Sequence, residues 1–149
     1  MGDVEIAVMT PTHIGDVHAI SLSSFPVSWS REDLLKEVYS ENSLNLVAIE
    51  NGKVLGYINI WYVYDEADVI NVAVKEESRK RGIGRKLMLE AIGRLKDKGI
   101  TDIYLEVRVS NLPAQRMYAS LGFSTIGVRR KYYSNGEDAY NMHLETSGQ

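Results

Sequence analysis

Arg79-x-x-Gly82-x-Gly84 stands where an apolar stretch, residues 70–74, runs into a strongly periodic segment, and its residue types are suited to holding an anion. Gly82 and Gly84 lack a Cβ, so their backbone N–H groups can turn toward a ligand, and the helix that follows adds the positive end of its dipole. Lys80, Arg81, Arg85 and Lys86 surround them with positive charge. The pattern predicts a cradle for a phosphate or pyrophosphate. It is not a Walker A loop, because no Gly-Lys-Ser or Gly-Lys-Thr follows. Nor is it Gly-x-Gly-x-x-Gly, because Leu87 stands where the third glycine belongs. Nucleotide hydrolysis and a simple dinucleotide fold therefore lose ground. On spacing alone, the same run also reads as a basic turn opening an ordinary surface helix.

Composition narrows the chemistry. The chain has 149 residues and no cysteine, so disulfides, thiolate metal sites and a cysteine nucleophile are excluded. Its three histidines, His13, His18 and His143, form no ligand motif, and no metal is expected. Seventeen basic and 20 acidic residues give a net charge of -3, which opposes a nucleic-acid partner and makes the Arg79–Lys86 patch a local feature suited to one phosphorylated small molecule. No run approaches the roughly 20 apolar residues of a membrane span, and residues 1–8 lack the apolar centre of a signal peptide. The expectation is a soluble cytoplasmic protein, with residues 1–149 forming one domain and no membrane partner.

The elements that must position this chemistry follow from periodicity. Val4, Ile6 and Val8 alternate as a first strand. Thr10 and Pro11 open a helix carrying Ile14, Val17 and Ile20, and Ser30 with Asp33 opens a second through Leu34, Leu35 and Val38. The loop between them, residues 24–29, reads either as a substrate lip or as a segment anchored to the core by Phe25 and Trp29. Asn51-Gly52 joins two antiparallel strands. Residues 68–74 form a further strand and residues 84–98 a helix closed by Gly99. A strand over 103–109 then turns Ile103, Leu105, Val107 and Val109 one way and Tyr104, Glu106 and Arg108 the other. This strand–helix–strand crossover should be parallel and right-handed. A short helix over 113–121, capped by Asn111, precedes a terminal hairpin of residues 123–133 and 138–144 turning at 134–137. The fold class is α+β, a mixed central β-sheet with helices on both faces.

This order of elements, with the Arg79-x-x-Gly82-x-Gly84 loop between the fourth strand and its helix, resembles the GCN5-related N-acetyltransferase (GNAT) superfamily over nearly the whole length. Leu105-Glu106-Val107-Arg108 with Ser110-Asn111, Met117-Tyr118 with Ser120-Leu121-Gly122-Phe123, and Tyr132-Tyr133 with Asn135-Gly136-Glu137-Asp138-Ala139 are similar to its ribosomal-protein-alanine N-acetyltransferase (RimI) branch and archaeal relatives. Where relatives of the bacterial enzyme read Phe-Pro-Trp in the first loop, Val27 and Ser28 here separate Pro26 from Trp29. Glu137-Asp138-Ala139-Tyr140 is closer to the archaeal and eukaryotic enzymes.

The resemblance implies acetyl-CoA as co-substrate and an amine as acceptor. It implies that backbone groups of Val72, Ala73 and Val74 hold the pantetheine arm and polarise the acetyl carbonyl. The amides of Lys80, Arg81, Gly82, Ile83, Gly84 and Arg85 would take the pyrophosphate, Arg79 would position the loop or the phosphates, and Asn111 would touch the cofactor arm besides capping its helix. Glu106 is expected to accept the ammonium proton, directly or through water, and Tyr118 to protonate the departing thiolate. On residue type alone, a salt bridge to Arg108 or a loop cation would account for Glu106, and core packing for Tyr118. Phe25, Pro26 and Trp29 on one side and Tyr132, Tyr133 and Tyr140 on the other would wall the peptide, with Glu66 or Glu137 near the mouth.

An α-amine of pKa near 8 is neutral roughly 10% of the time at pH 7, and a lysine of pKa near 10.4 about 0.04%, so one carboxylate suffices for the first. The expected reaction is acetylation of a protein N-terminus, a ribosomal protein among the candidate substrates. Acetylation of lysine or a small amine, and a silent acyl-CoA-binding module, are the alternatives.

Overall fold

In the computed structural model, which describes residues 3–147, seven strands form one mixed sheet in the order β1-β2-β3-β4-β5-β7-β6. The strands are β1 (Glu5–Val8), β2 (Ser43–Glu50), β3 (Lys53–Val63), β4 (Glu66–Val74), β5 (Asp102–Arg108), β6 (Ser124–Arg129) and β7 (Ala139–Glu145). The helices are α1 (Ile14–Ser24), α2 (Arg31–Tyr39), α3 (Ile83–Asp97) and α4 (Leu112–Ser120). Only β4 and β5 run parallel, joined through α3 as the crossover requires.

Alternation along the strands builds a core on each face. Leu46, Ile58, Ile60, Ile103 and Leu105 meet Leu87, Met88 and Leu95 of α3 and Tyr118 of α4. On the opposite face, Val47, Val54 and Tyr57 meet Val17 and Ile20 of α1 and Leu34 of α2.

Local signals act where expected. Asn51 and Gly52 both have positive φ, 51° and 77°, the geometry of a two-residue hairpin whose twist matches its strands. Ser30 Oγ accepts the Asp33 N–H at 3.1 Å, capping α2. Thr10 and Pro11 open a 3-10 turn, Pro11–His13, and α1 begins only at Ile14. β4 starts at Glu66, two residues earlier than expected, after a turn in which Tyr64 takes φ 56°.

Two departures matter for function. Asn59 pairs with Asn71 but Ile60 pairs with Val69, so Ile70 is an extra residue in β4. This bulge shifts the phase of the strand. Val69 and Val72, three apart, both pack toward α3. Gly56 of β3 lies against β4 here: a Cβ on it would sit 2.8 Å from the Ala73 carbonyl oxygen and 3.4 Å from Leu87 of α3. Secondly, the terminal hairpin is shorter than its alternation suggests. β6 ends at Arg129, paired with Ala139, and residues 130–138 form a loop that carries Tyr132 and Tyr133. Tyr133 and Glu137 close its tip, with the Tyr133 N–H on the Glu137 carbonyl at 3.1 Å and Gly136 at φ 85°.

Candidate active site

β4 and β5 pair only from Glu66–Asp102 to Asp68–Tyr104 and then separate. β5 continues to pair with β7, and β4 with β3, so the edges that face each other across the gap have no strand partner from residue 69 onward. The gap opens into a cleft of about 980 Å³. Residues 24–27 at the end of α1 form its lip, residues 68–72 and 105–108 its walls, and Tyr132, Tyr133 and neighbours of the 130–138 loop its far side.

Glu106 projects into this cleft with 22% of its side chain exposed. Its Oε1 accepts the Tyr132 hydroxyl at 3.5 Å, and Arg129 Nε lies 3.8 Å from its Oε2. Burial pushes the carboxyl pKa up, Arg129 pulls it back, and the nearby Asp68 adds to the rise. The result is a carboxylate more basic than a surface one. The salt bridge to Arg108 that residue type alone allowed is absent. Arg108 instead binds Glu137 at 3.1 Å and lies over the Tyr133 ring at 3.9 Å. Burial raises the Tyr133 pKa to about 12.

Tyr118, on α4, reaches the cleft from the α3 side. Only 6% exposed, it packs edge-on against Phe123 at 6.0 Å between ring centres, and desolvation pushes its pKa far above the ordinary phenol value. The core-packing role and a role at the cleft therefore coexist in one side chain. Asn111 likewise does both: its Oδ1 accepts the Ala114 N–H at 3.2 Å, and the residue lines the cleft.

Of the three strand residues expected to hold the pantetheine arm, Val72 lines the cleft. Ala73 is buried toward α1, and the Val74 carbonyl accepts Arg79 Nε at 3.1 Å. Arg79 thereby ties the glycine loop to the end of β4, as a loop-positioning residue would. The loop continues past this wall of the cleft. Gly82 has φ 77°, and Lys80 also takes a left-handed φ of 66°. The Lys86 N–H bonds to the Gly82 carbonyl, so the N–H groups of Ile83, Gly84 and Arg85 come before the first intrahelical bond. No acid lies in that first turn. Arg81 is partly neutralised by Glu50 at 2.6 Å, and Arg85 binds Ser120 Oγ. Ile83 itself is buried, and Gly84 lies 3.6 Å, measured from an added Cβ, from Met117. Bare amides, a helix N-terminus and the Lys80 cation, which has no carboxylate partner among the described residues, are donors that suit a pyrophosphate, and the unpaired β4 edge suits an amide-bearing arm.

Phe25 and Pro26 line the lip, whereas Trp29 does not. It stacks on Trp61 at 6.0 Å, and Trp61 is the indole that reaches the cleft. The loop is thus both lip and anchor. Tyr132 and Tyr133 face the cleft; Tyr140 packs toward the α3 core instead. Glu66 is not among the lining residues, and Glu137 lines the cleft but is held by Arg108 and by the Ser110 N–H at 2.9 Å.

Sequence reasoning missed Asp68, Asn71, Trp61 and Arg129. Asp68 lines the cleft wall, and desolvation there pushes its pKa up against the pull of Arg129. A lone acid inside an apolar strand was the available signal.

The chain resembles known proteins throughout. It is 32% identical over 145 residues to the [ribosomal protein bS18]-alanine N-acetyltransferase of Escherichia coli (strain K12), covering 95% of this chain and 97% of that one. It is 31% identical over 144 residues to an N-alpha-acetyltransferase of Sulfurisphaera tokodaii, covering 88% and 86%. The crystal structure of the ribosomal-protein-S18-alanine N-acetyltransferase from Escherichia coli superposes with a TM-score of 0.88 over 97% of this chain and 94% of that one. With residues 14–123 matching its family model on top of this shared architecture, the chain belongs to the acetyltransferase (GNAT) family.

Proposed function

We propose that this enzyme transfers the acetyl group of acetyl-CoA to the α-amino group of a protein N-terminus. The observation that carries the reading is the half-buried Glu106 carboxylate, raised in basicity, in a cleft whose β4 wall leads directly to the cation-rich start of α3. Acetyl-CoA, when bound, supplies an activated thioester carbonyl and a thiolate leaving group.

The chain's own groups then divide the work. Glu106, directly or through a water, takes the proton of the incoming ammonium; its raised pKa brings it nearer the amine it must deprotonate. Asp68 adds a second negative charge in the same cleft, which favours a cationic terminus over a neutral one. Backbone amides of the β4 edge near Val72 are suited to the acetyl oxygen, as donors fixed before the reaction begins. Tyr118 stays protonated over the whole working range because its pKa is pushed far up. At the cleft, Tyr118 is the group to protonate the departing thiolate, and the second proton lost by the acetylated amine restores the phenol.

Phe25 and Pro26 opposite Tyr132 and Tyr133 offer apolar bodies with polar tips to an extended peptide. Two relatives are named for the alanine of ribosomal protein bS18 and for N-alpha acetylation, which supports a protein α-amine as acceptor and makes a ribosomal-protein N-terminus beginning with alanine the first substrate to try. Short peptides offered with free and with blocked α-amine, some carrying an internal lysine, test this. Transfer restricted to free termini is the expected result. Transfer that survives the block would move the activity to lysine, and acetyl-CoA binding without transfer to any amine would leave a silent binding module.

A further inference from the structure

Three asparagines lie side by side across the sheet. The register sets Asn45 of β2 opposite Asn59 of β3, and Asn59 opposite Asn71 of β4, so all three project from the face that carries α1 and α2. Asn45 is 5% exposed and Asn59 wholly buried, while Asn71 lines the cleft. The orientation of the buried amides is unambiguous. At the inner end, the acceptor is the Glu37 backbone carbonyl near the end of α2, which can only accept, so the atom facing it at 2.9 Å is Asn45 Nδ2. Asn45 Oδ1 therefore faces Asn59, which presents its Nδ2 at 2.7 Å. Every donor in the row points toward α2. Asn59 Oδ1 is left pointing the other way, fully buried and with no hydrogen-bond partner. A buried acceptor left in that state is costly, and the side-chain donor on the adjacent strand position is Asn71 Nδ2.

We infer that Asn71 is a positioning residue for the attacking amine, with the buried row deciding which end of its amide the substrate meets. A turn of the Asn71 side chain that brings its Nδ2 onto Asn59 Oδ1 would satisfy that acceptor and leave Asn71 Oδ1 facing the cleft. Asn71 stands next to Val72, on the same face of the sheet as Glu106. Once the amine is neutral, it keeps two N–H groups and one lone pair. An acceptor that holds one N–H directs the lone pair, and the row back to α2 makes that acceptor stiff. This role rests on the α-amine reading above.

The test combines peptide kinetics with an NMR measurement that needs no substrate. In the wild-type protein, the Asn71 side-chain NH₂ should exchange slowly, and Asn59→Leu should release it to bulk rates. Asn71→Leu should lower kcat/KM for the peptide about tenfold, the weight of one hydrogen bond to a reacting amine, with the KM for acetyl-CoA within about twofold of wild type. Asn59→Leu, at a buried position beyond the substrate, should lower it in the same direction, and the double variant should be no worse than Asn71→Leu alone. Wild-type kinetics for Asn71→Leu, or additive losses in the double variant, would overturn the proposal. If Asn59→Leu does not fold, the wild-type exchange rate decides: a bulk rate would mean that water satisfies Asn59 and the row ends there. A wild-type enzyme that acetylates no free terminus would sink the functional reading and the substrate role with it, while the exchange measurement would still judge the row.

Discussion

In the proposed reaction Glu106 serves as base because its environment works against its charge, and that environment has consequences for both activity and stability. Its folded pKa is raised above the unfolded value of about 4.5. Between those two values the folded state holds more protons than the unfolded state, so stability falls as pH rises through the window, the reverse of an ordinary paired carboxylate. Glu106→Gln removes the penalty. The variant should therefore melt higher than wild type at pH 7.5 and equally at pH 4, while kcat/KM drops by about 10²- to 10⁴-fold, the range for loss of a general base. Melting curves at the two pH values and peptide kinetics check both halves, and a variant that is less stable at pH 7.5 would contradict the assignment of burial as the dominant influence. Arg129 provides a second handle, since it pulls the Glu106 pKa down from 3.8 Å away. Arg129→Gln should raise that pKa further, so the acid limb of the pH profile for kcat/KM should move to higher pH. A limb that stays in place would mean another group titrates there.

At the scale of elements, two devices hold the cleft in shape. Gly56 lets β4 and α3 close in on β3, and any side chain there meets the Ala73 carbonyl at 2.8 Å, a backbone atom that cannot swing aside. Gly56→Ala should cost about 1–3 kcal/mol in denaturant unfolding and should weaken CoA binding as well, because the strand it displaces leads into the glycine loop. The second device is Glu137, which binds Arg108 on β5 and the Ser110 N–H, and so fastens the loop bearing Tyr132 and Tyr133 to the β5–α4 corner. Glu137→Ala should raise the peptide KM several-fold, with the KM for acetyl-CoA little changed. Equal rises in both would show that the corner serves the cofactor arm instead.

At the scale of the whole molecule, the sheet is two halves joined at β4 and β5 by three paired positions and by α3. A ligand that spans the gap binds only the folded arrangement, so acetyl-CoA at about 100 times its Kd should add about 2.7 kcal/mol of stability, read as a rise in Tm. Because the net charge is -3 and the proposed phosphate contacts are local to Lys80 and its neighbours, that rise should shrink as salt shortens the Debye length below about 10 Å. Among the described residues no helix is long and apolar enough to cross a membrane.

What the sequence determined by itself was whatever depends on neighbours in the chain. The Asn51-Gly52 hairpin, the Ser30 cap, the Gly82 turn and the alternation that puts Glu106 opposite Leu105 and Val107 are all settled within a few residues, by φ preference, capping and the two-residue period of a strand. That local logic was enough to read the sheet and the helices, and the family resemblance then supplied the proposal that the glycine loop holds the cofactor and that Glu106 and Tyr118 do the chemistry. The tertiary structure alone decided which side chains meet across the cleft. Asp68 was invisible as a partner of Glu106 because the two lie on strands that pair for only three positions, and Asn71 because a single bulged residue, Ile70, resets the phase of β4. A one-residue slip turns a strand's side chains to the other face, so local alternation cannot carry the register past a bulge. Trp29 was placed in the cleft by its position in the lip and is held behind it by stacking on Trp61, and Tyr132 and Tyr133 were assigned to a strand that ends at Arg129. In each case, the deciding partner lies far along the chain, and only packing brings it near.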